Sequence, residues 1–379
     1  LAQVIMMLEQ GGEILDHRTL MARALELAAL AKGRTSPNPM VGAVVVKEGR
    51  IIAEGYHQKA GTSHAEVIAL EQAGPAARDA TLYVTLEPCS HYGRTPPCVN
   101  KIIAAGVKEA VVAMTDPNPL VNGRGIKMLR EAGIKVIVGV LQKEAEKLNE
   151  VFIKYITTGR PFVALKWAMT LDGKIATVAG DAKWISNEVS RAYVHTLRDE
   201  TDAILVGINT VLSDNPSLNT RLPGKKGKDP IRVILDSRLR VPLNSNVVNL
   251  DSPAPTIICC AENADKEKIS RLEEKGVLVW QLPSSAGLLD LSCLLDRLGA
   301  KEVTSLLVEG GGTVIESYLR QRLADKLYCF IAPKIVGGQQ AKTPVEGRGV
   351  QSMAEAYRLA ELNCENMAGD LLVTGYFRK

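Results

Sequence analysis

His64-Ala65-Glu66, followed by Pro88-Cys89 and, after eight intervening residues, Cys98, are the residues of this chain best equipped to do chemistry. One imidazole and two thiolates fill three positions of a tetrahedral zinc ion and leave the fourth to water. A carboxylate two residues beyond the histidine can then shuttle protons for that water. The chemistry is hydrolytic. Plainer readings exist beside it. Ser63 to Glu66 fits a capping box, with Ser63 as N-cap and Glu66 reaching back, which would open a helix running through Val67 to Leu70. Cys89 and Cys98 also suit ordinary buried thiols. His91 lies between the two cysteines and competes as a ligand.

The elements that must carry these residues are legible. Helical spacing from Leu20 to about Lys32 is followed by a hairpin, Val41 to Val46 and Ile51 to Tyr56, around Lys47-Glu48-Gly49. A helix starts near His64, Thr81 to Thr85 is a strand delivering Cys89, and Cys98 begins the helix Val99 to Ala105. Strand and helix alternate through Glu109 to Ala113, Gly125 to Glu131 and Lys135 to Val138, so a largely parallel sheet covered on both faces is expected. Both cysteines then sit at strand-to-helix turns, where helix N-termini favour thiolates. A helix over Gln142 to Tyr155 closes the unit, and Thr157-Thr158-Gly159-Arg160-Pro161 reads as a linker.

A second alternating unit follows, with strands at Phe162–Leu165, Ala203–Val206, Arg232–Leu235, Val277–Trp280, Ser305–Val308 and Leu371–Phe377. Val308-Glu309-Gly310-Gly311-Gly312-Thr313 joins a strand to the helix Val314 to Leu319. Glycines there allow close backbone approach, and the helix N-terminus offers free N–H groups to a phosphate. The turn is neither a Rossmann fingerprint nor a Walker A loop, and by itself it is equally a tight structural turn.

Length and composition set outer limits. At 379 residues two domains are expected, and the fold class is α/β. A net charge of +4 argues against nucleic acid as a partner, and no apolar run is long enough to span a bilayer. Leu1 to Asp16 lacks a basic n-region, so no secretory signal is expected, and a start at Leu in place of Met points to trimming or to a boundary set when the sequence was cut. Seven cysteines, an odd number, do not form a disulfide framework; Cys259-Cys260 reads as part of a buried strand, and a reducing cytoplasm fits best.

The His-x-Glu and Pro-Cys layout resembles that of the zinc deaminases, in which the glutamate is general acid/base and not a ligand, although their usual cysteine spacing is shorter. The loop Cys89-Ser90-His91-Tyr92-Gly93-Arg94-Thr95-Pro96-Pro97-Cys98 resembles that of the riboflavin-biosynthesis deaminases. So does the turn Ser36-Pro37-Asn38-Pro39-Met40-Val41-Gly42, where the resemblance implies that Asn38 hydrogen-bonds a pyrimidine; the same segment also suits a plain Pro/Asn turn.

Further on, Lys166 to Lys174, Trp184-Ile185-Ser186, Asn209 to Leu212, Asp214 to Arg221 and Leu235 to Arg238 resemble, in order, the riboflavin-specific reductase domain. From about Ala22 onward the chain is therefore similar to the bifunctional riboflavin-biosynthesis deaminase/reductases. This resemblance implies a cytidine-deaminase-like α/β/α domain over residues 16–158 and a dihydrofolate-reductase-like α/β domain over 161–379. It implies one zinc ion per chain on His64, Cys89 and Cys98, with Glu66 catalytic. It implies NADPH contacts from Ala168, Trp184, Thr210, Asp214, Ser237, Gly311, Gly312, Thr313, Val314, Ile315, Glu316 and Ser317. Substrate contacts are implied for Lys166, Ala182, Arg198, Leu218, Arg221 and Glu309, with Ala182 standing where the family often has Ser. Without the resemblance, Arg198 on a helix reads as ordinary surface charge. The substrate implied is a small pyrimidine ribosyl phosphate, and the reductase domain is expected to form homo-oligomers, dimers or tetramers. The alternatives are a zinc deaminase acting on another nucleobase or nucleic acid, and a zinc-stabilised binding protein, for which four protein ligands would be usual.

Overall fold

The computed structural model describes residues 16–90, 97–119 and 121–378; the stretch 1–15, read above for a leader, and His91 lie outside them. The chain divides between Gly159 and Arg160 into two compact units.

The first unit runs α1 (His17–Ala29), β1 (Gly42–Lys47), β2 (Arg50–Tyr56), α2 (Ala65–Ala73), β3 (Thr81–Val84), α3 (Cys98–Ala105), β4 (Glu109–Val112), α4 (Arg124–Glu131), β5 (Lys135–Val138), α5 (Gln142–Leu148) and α6 (Glu150–Thr158). Its sheet has the order β2-β1-β3-β4-β5. Only β3, β4 and β5 are parallel, because β1 pairs antiparallel with both β2 and β3. The expectation of a largely parallel sheet is corrected to a mixed one. The physical reason lies in the tight turn, where Glu48 and Gly49 both adopt positive φ, 53° and 75°, as a two-residue hairpin demands. Buried and open positions do not alternate along β1: Ala43, Val44 and Val45 are all fully buried, which is what a strand covered on both faces requires.

The helix expected over Gln142 to Tyr155 is two helices broken at Asn149. The break has a use. Asn149 is 1% exposed, and its amide accepts from Met40 N–H at 2.8 Å and donates to Met40 C=O at 2.9 Å. It thereby pins the turn that carries Asn38 to the far end of the unit.

The second unit runs β6 (Phe162–Thr170), α7 (Glu188–Glu200), β7 (Ala203–Gly207), α8 (Ile208–Asp214), β8 (Ile231–Leu235), α9 (Asn246–Asn249), β9 (Thr256–Ala261), α10 (Lys266–Glu273) and β10 (Leu278–Leu282). A small hairpin, β11 (Ser284–Ser285) and β12 (Leu288–Leu289), precedes α11 (Leu291–Gly299), β13 (Ser305–Val308), α12 (Gly312–Arg320), β14 (Lys326–Ala332), β15 (Leu359–Met367) and β16 (Asp370–Phe377). The main sheet has the order β10-β9-β8-β7-β13-β6-β14-β16-β15 and is parallel from β10 through β14. Both faces of its centre are covered, and Cys259 and Cys260 lie fully buried in β9. Sequence patterning missed β14 and β15. The second is mostly exposed along its length, so it carries no alternation of buried and open positions to read. Among the described residues no helix is long and apolar enough to cross a membrane.

Replacing Asn149 by Ala should leave the Met40 N–H and C=O without partners. A fully buried group so orphaned costs roughly 1–3 kcal/mol, and these part-buried ones less. Calorimetry or denaturant titration should show the first unit melting early while the transition of the second unit stays in place.

Candidate active sites

In the first unit His64 is itself the N-cap of α2, with no side-chain capping bond. The capping box over Ser63 to Glu66 therefore does not form. The imidazole turns the other way, with Nδ1 3.1 Å from Cys98 Sγ and 3.6 Å from Cys89 Sγ. Cys89 follows β3, Cys98 opens α3, and the backbone N–H of Cys98 donates to Cys89 Sγ at 3.3 Å. The donor atoms of His64, Cys89 and Cys98 all lie within 4.8 Å of one another. Hydrogen bonds from Cys98 and from His64 hold the Cys89 thiol well below its ordinary range, while its neighbour Cys98 is pushed up by sharing that contact and by burial. Such a pair releases its second proton only to a positive charge, which suits a metal.

Glu66 is 3% exposed, and its Oε2 has no hydrogen-bond partner. Burial pushes its carboxyl up to about 7. A buried, unpartnered carboxylate oxygen beside two thiols and an imidazole fits a zinc site with one position left for a water. Among the described residues no other group of three or more such donors comes together.

Three supports hold this constellation. Glu87, 3% exposed, accepts backbone N–H bonds from Asp116, Gly123, Gly125 and Ile126 at 2.8 to 3.2 Å and so fixes the turn into Pro88-Cys89. A Cβ on Gly125 would stand 2.2 Å from Pro88 O, so only glycine lets α4 approach the turn. The third support was not found from sequence. His57 Nδ1 lies 3.1 Å from Ser63 O, and its Nε2 lies 3.1 Å from the Asn38 amide nitrogen. The ring also packs edge-on against His64 at 5.3 Å. Burial lowers its pKa, so a neutral ring donates to Ser63 and accepts from Asn38. Nothing in the sequence around His57 signals this, because its partners come from two other segments.

In the second unit the chemistry gathers at the C-terminal ends of the parallel strands, as open α/β sheets favour. A cavity of about 420 Å³ is lined by Ala182, Thr210, Asp214, Ser237, Gly311, Gly312, Thr313, Val314 and Ser317. Sequence reasoning missed Asn209, Arg240, Lys342 and Glu346, which line it too. Gly311 has φ 78°, and a Cβ on Gly312 would lie 2.5 Å from Glu346 Cγ, so the turn is a cradle that side chains would fill. The start of α12 presents its free N–H groups there. This fits a phosphate-bearing cofactor.

The other residues singled out for the cofactor lie elsewhere. Ile315 is 1% exposed in the apolar core, Glu316 pairs with Arg320 at 3.1 Å, and Ala168 packs in a small cluster with Val194, Phe330 and Leu372. Trp184 is 64% exposed, with the Arg191 guanidinium 4.7 Å above its ring.

The polar residues expected to meet a substrate form a cluster of their own. Arg198 is no surface charge. Its side chain is only 13% exposed, and its Nε and Nη2 grip Glu309 at 2.7 and 2.8 Å. Lys166 Nζ stands 3.8 Å from the same carboxylate. Leu218, 3% exposed, accepts φ 52° to send its side chain inward, and the strained residue leads straight into Asn219 to Arg221. Arg221 touches His195, a second residue the sequence did not reveal.

Both units have known counterparts. Residues 15–114 match the cytidine and deoxycytidylate deaminase zinc-binding region, and residues 161–373 match the RibD C-terminal domain. The riboflavin biosynthesis protein RibD of Aquifex aeolicus is 48% identical over 94% of this chain and 97% of its own length; that of Escherichia coli is 42% identical over 90% and 92%. Among solved structures, RibD of Acinetobacter baumannii superposes with a TM-score of 0.85 at 37% identity, covering 96% of this chain and 99% of that one. A Thermotoga maritima protein described as a diaminohydroxyphosphoribosylaminopyrimidine deaminase/5-amino-6-(5-phosphoribosylamino)uracil reductase gives 0.83 at 40%, covering 95% and 98%. With a deaminase-type first unit and a reductase-type second unit matched in one polypeptide, the chain belongs to the RibD family of bifunctional riboflavin-biosynthesis enzymes.

Proposed function

We propose that the first unit deaminates 2,5-diamino-6-(ribosylamino)-4(3H)-pyrimidinone 5′-phosphate and that the second reduces the ribosyl side chain of the product to ribityl. The observation that carries the first half is the meeting of His64, Cys89 and Cys98 beside a buried Glu66 without a partner. These three donors would hold one zinc ion, and the metal supplies Lewis acidity that brings the pKa of a water toward neutrality. Glu66 then does the proton work. Its Oε2 takes the proton of the attacking water and returns one to the departing ammonia. Asn38, oriented by His57, hydrogen-bonds the pyrimidine and presents the carbon bearing the 2-amino group.

In the second unit the cradle at Gly311 and Gly312, with Thr210, Asp214, Ser237 and Ser317 around it, would hold NADPH. The bound cofactor supplies the hydride. Ala168, Trp184, Ile315 and Glu316 remain in the proposed cofactor set although they do not line that cavity. Lys166, Arg198, Arg221 and Glu309 take the sugar phosphate, with Leu218 and Ala182 shaping its walls, since guanidinium forks match phosphate oxygens. We further propose a cytoplasmic location, supported by seven cysteines none of which is in a disulfide, and association through the reductase unit, supported by the open edge strand β15 with Leu362 64% exposed.

Replacing Cys89 by Ser should abolish zinc retention, read by metal analysis, and deamination, read as ammonia release. Reduction of separately supplied deaminated substrate should persist. Glu66→Gln keeps size and hydrogen bonding but cannot carry a proton. Zinc content should then stay near wild type while deamination falls by roughly 10²–10⁴-fold. Normal ammonia release from the zinc-loaded variant would sink the assigned role. Gly311→Val forces a β-branched residue to φ 78° and fills the cradle, so NADPH affinity, followed by fluorescence, should collapse with deamination intact.

A further inference from the structure

Arg198 and Arg221 are alike in chemistry but differ in commitment. Arg198 spends two donors on Glu309 and gives Nη1 to the Asn219 carbonyl at 3.2 Å. Its charge is answered. Arg221 forms no ion pair among the described residues, and its hydrogen-bond contacts are both to His195. Its backbone N–H meets His195 Nδ1 at 3.2 Å, and its Nη2 lies 3.4 Å from Nε2. One carboxylate, Glu309, thus faces Lys166 and Arg198, while a third cation stands beside the pair with no negative partner.

His195 projects from α7, three residues before Arg198 and so on the same helix face. Burial first, then the adjacent Arg198 and Arg221, lower its pKa to about 4, against a smaller opposing pull from Glu309. The ring is therefore neutral. A neutral imidazole has one N–H and one lone pair, so it cannot accept from both Arg221 donors at once. With Nδ1 accepting the Arg221 backbone N–H, the Nε2–H cannot accept from Nη2, so the ring anchors the backbone of Arg221 and limits the rotamers of its long side chain by contact alone. A protonated ring at this position would instead drive the guanidinium away.

We propose that His195 is a positioning residue for Arg221, holding the guanidinium of the uncommitted arginine toward the phosphate of the reductase substrate. The assignment rests on the function proposed above, in which that phosphate is bound by the second unit. It also divides the labour of the two arginines: Arg198 sets the carboxylate of Glu309, and Arg221 with His195 takes the anion.

The test is a double-mutant cycle in the full-length zinc-loaded enzyme, using reductase kinetics on separately supplied deaminated substrate. Arg221→Ala should raise KM roughly ten- to a hundredfold, the usual effect of removing a charge-assisted hydrogen bond. His195→Ala should raise KM by about tenfold with kcat and NADPH affinity unchanged, and His195→Gln should recover part of the loss. Because His195 acts through Arg221, the double variant should be no worse than Arg221→Ala alone. Additive losses, an unmoved KM in His195→Ala, or a parallel loss of NADPH affinity would each overturn the assignment and leave the phosphate reading standing. An unmoved KM in Arg221→Ala would remove the phosphate reading itself, and the role of His195 with it.

Discussion

Glu87 carries a carboxylate into a place where 3% of the residue reaches solvent, and the backbone must turn inward to meet it. Four N–H groups do so, from Asp116 and from the start of α4. A buried charge without such partners would be untenable, and with them it becomes a fixed point. The turn Pro88-Cys89 hangs directly on it, with Gly125 in near contact with Pro88 O. Cys98, through its N–H to Cys89 Sγ, is referred to the same point, and His64 follows from α2. In the zinc site proposed for His64, Cys89 and Cys98, a carboxylate that is not one of the three donors thus holds the turn that positions them.

The second unit solves the same problem by a different route. Its parallel strands all end at one edge, so the turns after β7, β8 and β13 open onto one cavity. The strained Leu218 and the Arg198–Glu309 pair then fix the side of that edge proposed to receive the substrate. A zinc deaminase acting on nucleic acid would have no use for this second apparatus, and a binding protein would have no use for Glu66 placed beside an open metal position.

Most of the architecture was legible because its signals are local. The hairpin, the helix starts at His64 and Cys98, and the strand ending at Val308 all follow from periodicity, glycine and side-chain type in a short window. The misses share a cause. Asn149 breaks a helix in order to reach Met40, more than a hundred residues away. His57 matters only because Asn38 and Ser63 come to it, and His195 only because Arg221 does. Arg198 looked like surface charge because nothing beside it in sequence reveals Glu309. Long-range pairing of polar groups leaves no periodic trace.

Two buried glutamates show how far that pairing decides chemistry. Glu66 and Glu309 are the same side chain, both withdrawn from solvent, and desolvation pulls both toward the neutral acid. At Glu66 the pull prevails over the opposing effects of His64 and Cys98, and Oε2 has no donor. The carboxyl can therefore gain and lose a proton near neutrality, which a general acid/base must do. At Glu309 the same pull is more than offset by Arg198 and Lys166, and the group stays ionised below its ordinary range. It cannot act as an acid there. What it can do is hold two cations in fixed places and accept hydrogen bonds from a sugar. Among the described residues, the difference between a carboxyl that can move protons and one that orders charges therefore comes down to the arginine fork that grips Glu309 and has no counterpart at Glu66.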